Sequence, residues 1–166
     1  MAQRFIENVA KSDVTLGHHY DAGSNAMLIR IQDPATSFAK PKREFKETYE
    51  FEFLDAEDSD GFEEDAKISD EQAAQLVALL QRAIDNHMNV VVHCHAGICR
   101  SGAVVEVATM LGFTPTDRFR QPNLRVKHKM MKVLGLTYDS DEKTSSTGGY
   151  ISNDGIWLPT GFGENT

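Results

Sequence analysis

The sequence predicts an α/β domain built on a central, mostly parallel sheet flanked by helices. Three observations predict it. Segments with strand and helix periodicity alternate along the chain, as in sheets covered by crossover helices. One apolar run, Asn89–Val90–Val91–Val92–His93, is continuous rather than alternating, the mark of a central strand buried on both faces. And 166 residues, 40% apolar and 25% charged, suit one globular core.

The elements follow in order, and none is read before Met27. Met27–Leu28–Ile29–Arg30–Ile31 predicts a buried strand, closed by the turn-forming pair Asp33–Pro34. Tyr49, Phe51 and Phe53 alternate with Glu50 and Glu52, so a strand with one wet face is expected there. Ser69 and Gln72 have the spacing of a capping box. Ala73, Leu76, Val77, Leu80 and Ile84 then recur at helical spacing, which predicts a helix from Asp70 to His87. After the apolar strand comes a short loop with one glycine, and a helix from Ser101 to Leu111 stopped by Gly112. A last helix is expected from about Asn123 to Leu134, with Met130, Met131 and Leu134 at core spacing. Residues 1–134 make the domain. Residues 135–166 hold six of the twelve glycines and read as a Ser/Thr/Gly-rich tail of weak order, or one docked on the body through Trp157 and Phe162.

Charge and composition exclude several functions. The net charge of -8 disfavours nucleic acid and anionic membrane as partners, since phosphate backbones are bound by neutralising them. No stretch approaches the length of a membrane helix, and the polar N-terminus does not resemble a secretory signal, so a cytoplasmic location is expected. Glu44 to Asp65 holds eleven of the 25 acidic residues and reads as a solvated acidic loop. Arg118, Arg120, Arg125, Lys127 and Lys129 form a basic stretch, readable as a solvated helix face or as a guide for an anionic substrate. His18–His19 reads as a surface pair.

Chemistry concentrates at the strand–loop–helix join His93–Cys94–His95–Ala96–Gly97–Ile98–Cys99–Arg100–Ser101. Such a loop turns successive backbone N–H groups inward as an anion nest, and the following helix adds its positive end. Gly97 permits the backbone conformation a tight cradle needs. Cys94 stands where a thiolate is stabilised. Arg100 can hold two oxygens of a phosphate in its fork, and Ser101 can donate to the sulfur when it leaves. A nucleophile, an oxyanion cradle and a cationic clamp converge on one tetrahedral anion. A zinc site is the rival reading of His93, Cys94, His95 and Cys99, but their spacing is not one that wraps a tetrahedral ion. His93 is expected to support the loop, and His95 to face substrate or solvent.

The run His-Cys-x5-Arg-Ser with glycine in the fourth place after the histidine resembles the cysteine-dependent protein tyrosine phosphatase superfamily. Tyr49 to Asp55 is similar to the acid-bearing segment of its compact, dual-specificity-like branch, and Ile29 to Pro34 to the early strand and turn of bacterial and viral members. The resemblance spans about Met27 to Leu134. It implies Cys94 as nucleophile and Asp55 as general acid, with Asp58 and Asp60 as rivals. Residues His95 to Arg100 would bind the phosphoryl group. Pro122–Asn123 resembles the Pro-Asn of small members, which implies Asn123 as a residue that positions water. The implied reaction needs no metal or organic cofactor and passes through a phosphocysteine.

The expected substrate is a phosphorylated protein, carrying phosphotyrosine and also phosphoserine or phosphothreonine. The short span before the acid strand leaves little room for the long recognition segment of large tyrosine phosphatases. Two alternatives remain: a phosphatase of a phosphoinositide, nucleotide or RNA 5′ end, and an inactive phosphate-binding module. Lipid and RNA branches often carry lysines inside the loop, and this loop carries none before Arg100. Ile98–Cys99–Arg100–Ser101 is further similar to the end of the low-molecular-weight tyrosine phosphatase loop. A loop wrapped round a phosphate brings its first and sixth residues together, so a reversible Cys94–Cys99 disulfide is one expectation for Cys99. A small buried apolar role is the other.

Overall fold

In the computed structural model, residues 4–136 and the backbone of residues 150–151 and 157–158 are described. Seven strands and four α-helices follow in chain order. They are β1 (Phe5–Ala10), α1 (Lys11–Leu16), β2 (Ala26–Gln32), β3 (Glu47–Glu52), α2 (Asp70–Asp85), β4 (Asn89–Cys94), α3 (Arg100–Met110), β5 (Thr114–Pro115), α4 (Leu124–Val133), β6 (Tyr150–Ile151) and β7 (Trp157–Leu158). A single 3-10 turn, Glu64–Ala66, precedes α2. The first five strands form one sheet in the order β3-β2-β4-β1-β5, and every pairing in it is parallel. β6 and β7 pair antiparallel, apart from that sheet. The expected docking of Trp157 and Phe162 concerns side chains outside the described residues.

The expected strands and helices lie where periodicity put them, to within two residues at each end. β4 is central, flanked by β2 and β1, and its residues from Val90 to Cys94 are buried, as a continuous apolar run requires. In β3 Glu50 and Glu52 face water while Phe51 and, just beyond the strand, Phe53 are buried. Ser69 caps α2 reciprocally: its Oγ accepts from the Gln72 amide at 3.0 Å, and Gln72 Oε1 accepts from the Ser69 amide at 3.0 Å. The apolar stripe of α2 joins α3 and α4 over one face of the sheet, against Met27, Ile29, Ile31, Val90 and Val92. The other face carries the smaller α1, through Val14 against Val9, Leu28 and Val91.

β1, α1 and β5 have no counterpart in the periodicity. β1 reads Phe-Ile-Glu-Asn-Val-Ala, and its two central polar residues break any apolar run. Both are buried and served from afar. Glu7 accepts from the Tyr20 amide, the Thr116 hydroxyl and Arg118 Nε, while Asn8 Nδ2 donates to Gly97 and Phe119 carbonyls. The partners that make this strand possible are invisible to a local pattern. His19 corrects a smaller expectation: it is buried, and only His18 is exposed. No helix of the described residues is long and apolar enough to cross a membrane.

Candidate active site

The carboxyl ends of parallel strands meet at one edge of the sheet, where α/β proteins bind ligands. β4 ends at Cys94, β1 runs into Lys11, β2 leads to Asp33, and β3 leads through Phe53 to Asp55. The loop from His95 to Cys99 is held by its carbonyls, which point outward into the body. His95 O accepts from the Lys11 amide, Gly97 O from Asn8, Ile98 O from the Gln121 amide, and Cys99 O from the Ala103 and Asn123 amides. With the oxygens turned out, the inner side of the ring is left to N–H groups, the arrangement of an anion nest. Gly97 has φ +76°, and a Cβ there would lie 2.3 Å from the Val9 carbonyl carbon. Only glycine lets the loop press this closely on β1.

Cys94 lies beneath the loop at 2% exposure. Its sulfur is 3.2 Å from Ser101 Oγ and accepts from the Ser101 amide at 3.4 Å, at the start of α3. Arg100 begins the same helix and is buried. Its Nη1 donates to Asp33 Oδ1 and to the Phe53 carbonyl, each at 2.8 Å. Its Nε is buried and has no hydrogen-bond partner among the described residues. One edge of the guanidinium is thus fixed by the protein, while a buried donor stays unsatisfied, a state that native structures rarely tolerate without a ligand or function.

Behind the loop, His93 is fully buried and its Nε2 accepts from Arg30 Nε at 3.0 Å. Burial, reinforced by the Arg30 charge, pushes its pKa down to about 4, so the ring is neutral. Arg30 is itself buried, stacks over Phe38 with 5.2 Å to the ring centroid, and donates to Ala39 O. His93 therefore holds the floor of the site through a side chain that the sequence does not single out.

The three acidic candidates separate clearly. Asp55 is exposed and accepts from Asn123 Nδ2 at 2.8 Å. It also stands beside Cys99, whose thiol is raised to about 11, first by burial and then by this carboxylate. Asp58 is tied to Arg125 Nη1 at 2.8 Å, and Asp60 accepts from the Glu57 amide at 2.6 Å, closing its own turn. Asn123 is buried and engaged throughout: Oδ1 caps α4 by accepting from the Val126 amide, and Nδ2 also donates to the Ala56 carbonyl. With its amide on Cys99 O, it joins the acid segment, the loop and α4 at one point.

Both expectations for the charged stretches need correction. Each of the five basic residues is paired: Arg118 with Glu7 and Asp13, Arg120 and Lys127 with Glu106, Arg125 with Asp58 and Glu64, Lys129 with Asp70. They neither form a bare solvated face nor offer open charge to a substrate. The acidic segment is likewise structural in part. Glu57 accepts from the Leu124 and Arg125 amides at the start of α4, satisfying two of the donors a helix leaves over. Sequence reasoning missed Asp33, Asn8 and Arg30 as parts of the site. A carboxylate directly after β2 was a usable signal for Asp33; Asn8 carried none.

No group of three or more His, Cys, Asp or Glu side chains among the described residues is placed to hold a metal ion. One family model, described as Polymorphic toxin system, DSP-PTPase phosphatase, matches residues 63–113. That span carries α2, β4, the loop and α3, and stops short of Asp33, Asp55 and Asn123. Curated proteins yield no match to the chain. The family match supports a dual-specificity-like cysteine phosphatase.

Proposed function

We propose that this chain, whose family match is to a DSP-PTPase phosphatase, is a cysteine phosphatase that hydrolyses phosphotyrosine, and phosphoserine or phosphothreonine, in proteins through a phosphocysteine on Cys94. The observation that carries the reading is Arg100. Its buried, unpartnered Nε sits in a guanidinium already oriented by Asp33 and Phe53, on the helix that follows the Cys94 loop. An anion with paired oxygens is the natural partner of such a fork.

In the first step Cys94 Sγ attacks phosphorus as the ester P–O bond breaks, and Asp55 gives its proton to the leaving oxygen. In the second, water attacks phosphorus, Asp55 takes its proton, and the S–P bond breaks to release orthophosphate. Ser101, 3.2 Å from the sulfur, stabilises the departing thiolate. The N–H groups of His95 to Arg100 and the Arg100 fork hold the equatorial oxygens in both steps. Asn123 contributes by holding Asp55 in place at 2.8 Å, and we assign it a part in positioning the hydrolytic water through that carboxylate.

The test is turnover of an aryl phosphate, followed by a panel of phosphopeptides, phosphoinositides and 5′-phosphorylated RNA. Cys94→Ser should abolish turnover and keep the fold and anion binding, and Arg100→Lys should be severe because an ammonium lacks the planar fork. More than about a few per cent residual activity in Cys94→Ser would remove the covalent mechanism. Preference for inositide or RNA over every phosphopeptide would move the substrate class to a non-protein ester. Anion binding without any turnover would leave a binding module.

A further inference from the structure

Beside the loop, on the α1 side, lies a recess of about 510 Å³ lined by Lys11, Ser12, Thr15, Leu16 and His95. Four of these residues are on one helix face, at spacings of one, four and five. The fifth belongs to the loop itself and is exposed. The recess is not an accident of a loose helix, for α1 is fixed at both ends: the Lys11 amide donates to His95 O at 3.2 Å, and the Val14 carbonyl accepts from the Lys42 amide at 3.1 Å. The loop beside it is set closely on β1, where Gly97 approaches Val9 and Ala10.

Its charge contrasts with that of the basic stretch after β5. The basic residues from Arg118 to Lys129 are all neutralised by carboxylates of the chain. Lys11 has no hydrogen bond or ion pair from its ammonium among the described residues, although the chain as a whole carries -8. The next bank continues the sign: the stem of Lys42 covers Gly17 at the end of α1, and its ammonium too is unpaired among the described residues. Leu16, 57% exposed, adds apolar surface on the same helix. A group held here would need a negative charge close to the loop and an aliphatic part to lie along Leu16.

We infer that this recess is the subsite for a substrate residue flanking the phosphorylated one, and that it selects an acidic side chain through Lys11. This rests on the phosphoprotein reading above and names the sequence context such a substrate would have. A phosphate in the loop places its peptide over the rim formed by His95, and α1 is the wall the peptide meets on that side. Lys11 is then a specificity-determining residue.

The experiment compares kcat/KM for phosphopeptides that carry Asp, Ala or Lys in turn at each of the three positions on either side of the phosphoresidue, with the full chain. At one position or more the order should be Asp above Ala above Lys, with a spread of about fivefold, the scale of a partly exposed charge contact. Lys11→Glu should invert that order at the same position, and Lys11→Met should flatten it. An inverted preference is a readout that mere loss of fold does not produce. Equal kcat/KM across Asp, Ala and Lys at every position in the wild type would overturn the subsite, as would a preference that survives Lys11→Glu. Should the chain hydrolyse aryl phosphate but no phosphopeptide, the protein-substrate reading falls and takes this occupant with it; hydrolysis of all peptides alike removes the subsite alone.

Discussion

Asp55 and Asp58 are three residues apart and have opposite surroundings, and that contrast supports Asp55 as the proposed acid. Asp58 is locked to the buried Arg125, while among the described residues Asp55 touches the Asn123 amide and the Cys99 thiol alone, at the mouth of the site. Asp55→Asn should therefore lower turnover roughly a hundredfold, most for alkyl phosphates, whose leaving groups need the proton. Asp58→Asn should leave leaving-group dependence as it is; the reverse pattern would reassign the acid. Cys99 is the second residue with a decisive neighbour. A thiol raised to about 11 is almost wholly protonated at neutral pH, so on the disulfide reading it should capture a Cys94 sulfenic acid slowly. In that capture the S–S bond forms as hydroxide leaves the sulfenic sulfur, and the Cys99 proton departs with it as water. After peroxide at alkaline pH, a thiol reductant should restore more activity to wild type than to Cys99→Ser, and the advantage should shrink toward neutral pH. Equal recovery at every pH would leave Cys99 a packing role. At this scale the nucleophile loop was legible because its residues are contiguous. Asn8 was not, because its partner Gly97 lies 89 positions away, and Asp33, though signalled by its place after β2, could not be tied to Arg100 at 67 positions.

Among the elements, α2, β4, α3 and α4 declared themselves through periodicity, and β1 did not, because its Glu7 and Asn8 are buried polar residues with distant partners. The same principle governs the segment between β3 and α2. Its acidity reads as solvation, yet Glu57, Asp58 and Glu64 anchor the first turn of α4. The exposed carboxylates contribute little individually. The stronger link is Arg125, which donates through Nε and Nη2 to the buried Ile68 carbonyl at 3.3 and 2.9 Å. Arg125→Met leaves that carbonyl unpaired, and should destabilise the protein by about 2 kcal/mol in urea titrations. It should also lower kcat for alkyl phosphates more than for aryl phosphates, because the Asp55 segment rests on the same contacts. A stability loss with no change in leaving-group dependence would separate this anchor from the chemistry.

For the molecule as a whole, the clearest pH signature comes from His93. Its folded pKa of about 4 lies below the unfolded value of about 6.5, so the unfolded chain takes up the proton first. Its contribution is fully present above pH ~6.5 and is lost as pH falls toward ~4, by up to about 3 kcal/mol. His128 is shifted in the same direction by burial and adds to the slope. The lowered carboxyl groups Glu47, Glu64 and Asp70 withdraw their contributions only further down. Urea midpoints between pH 7 and 5 should therefore fall more steeply for wild type than for His93→Asn; parallel curves would mean that the imidazole is not neutral in the folded chain. The strand order carries a last consequence, for how the protein comes into being. β4 is fourth in sequence but sits between β2 and β1, and the proposed catalytic loop is its direct continuation. A growing chain that has not yet delivered β4 holds β1 and β2 without the neighbour they share. Joining β1 to β2 through β4 and forming the loop are thus one event between distant segments, slow in the manner of non-local pairings. On the proposed mechanism, a partly made chain has no phosphate cradle, and so no opportunity to act before its fold is complete.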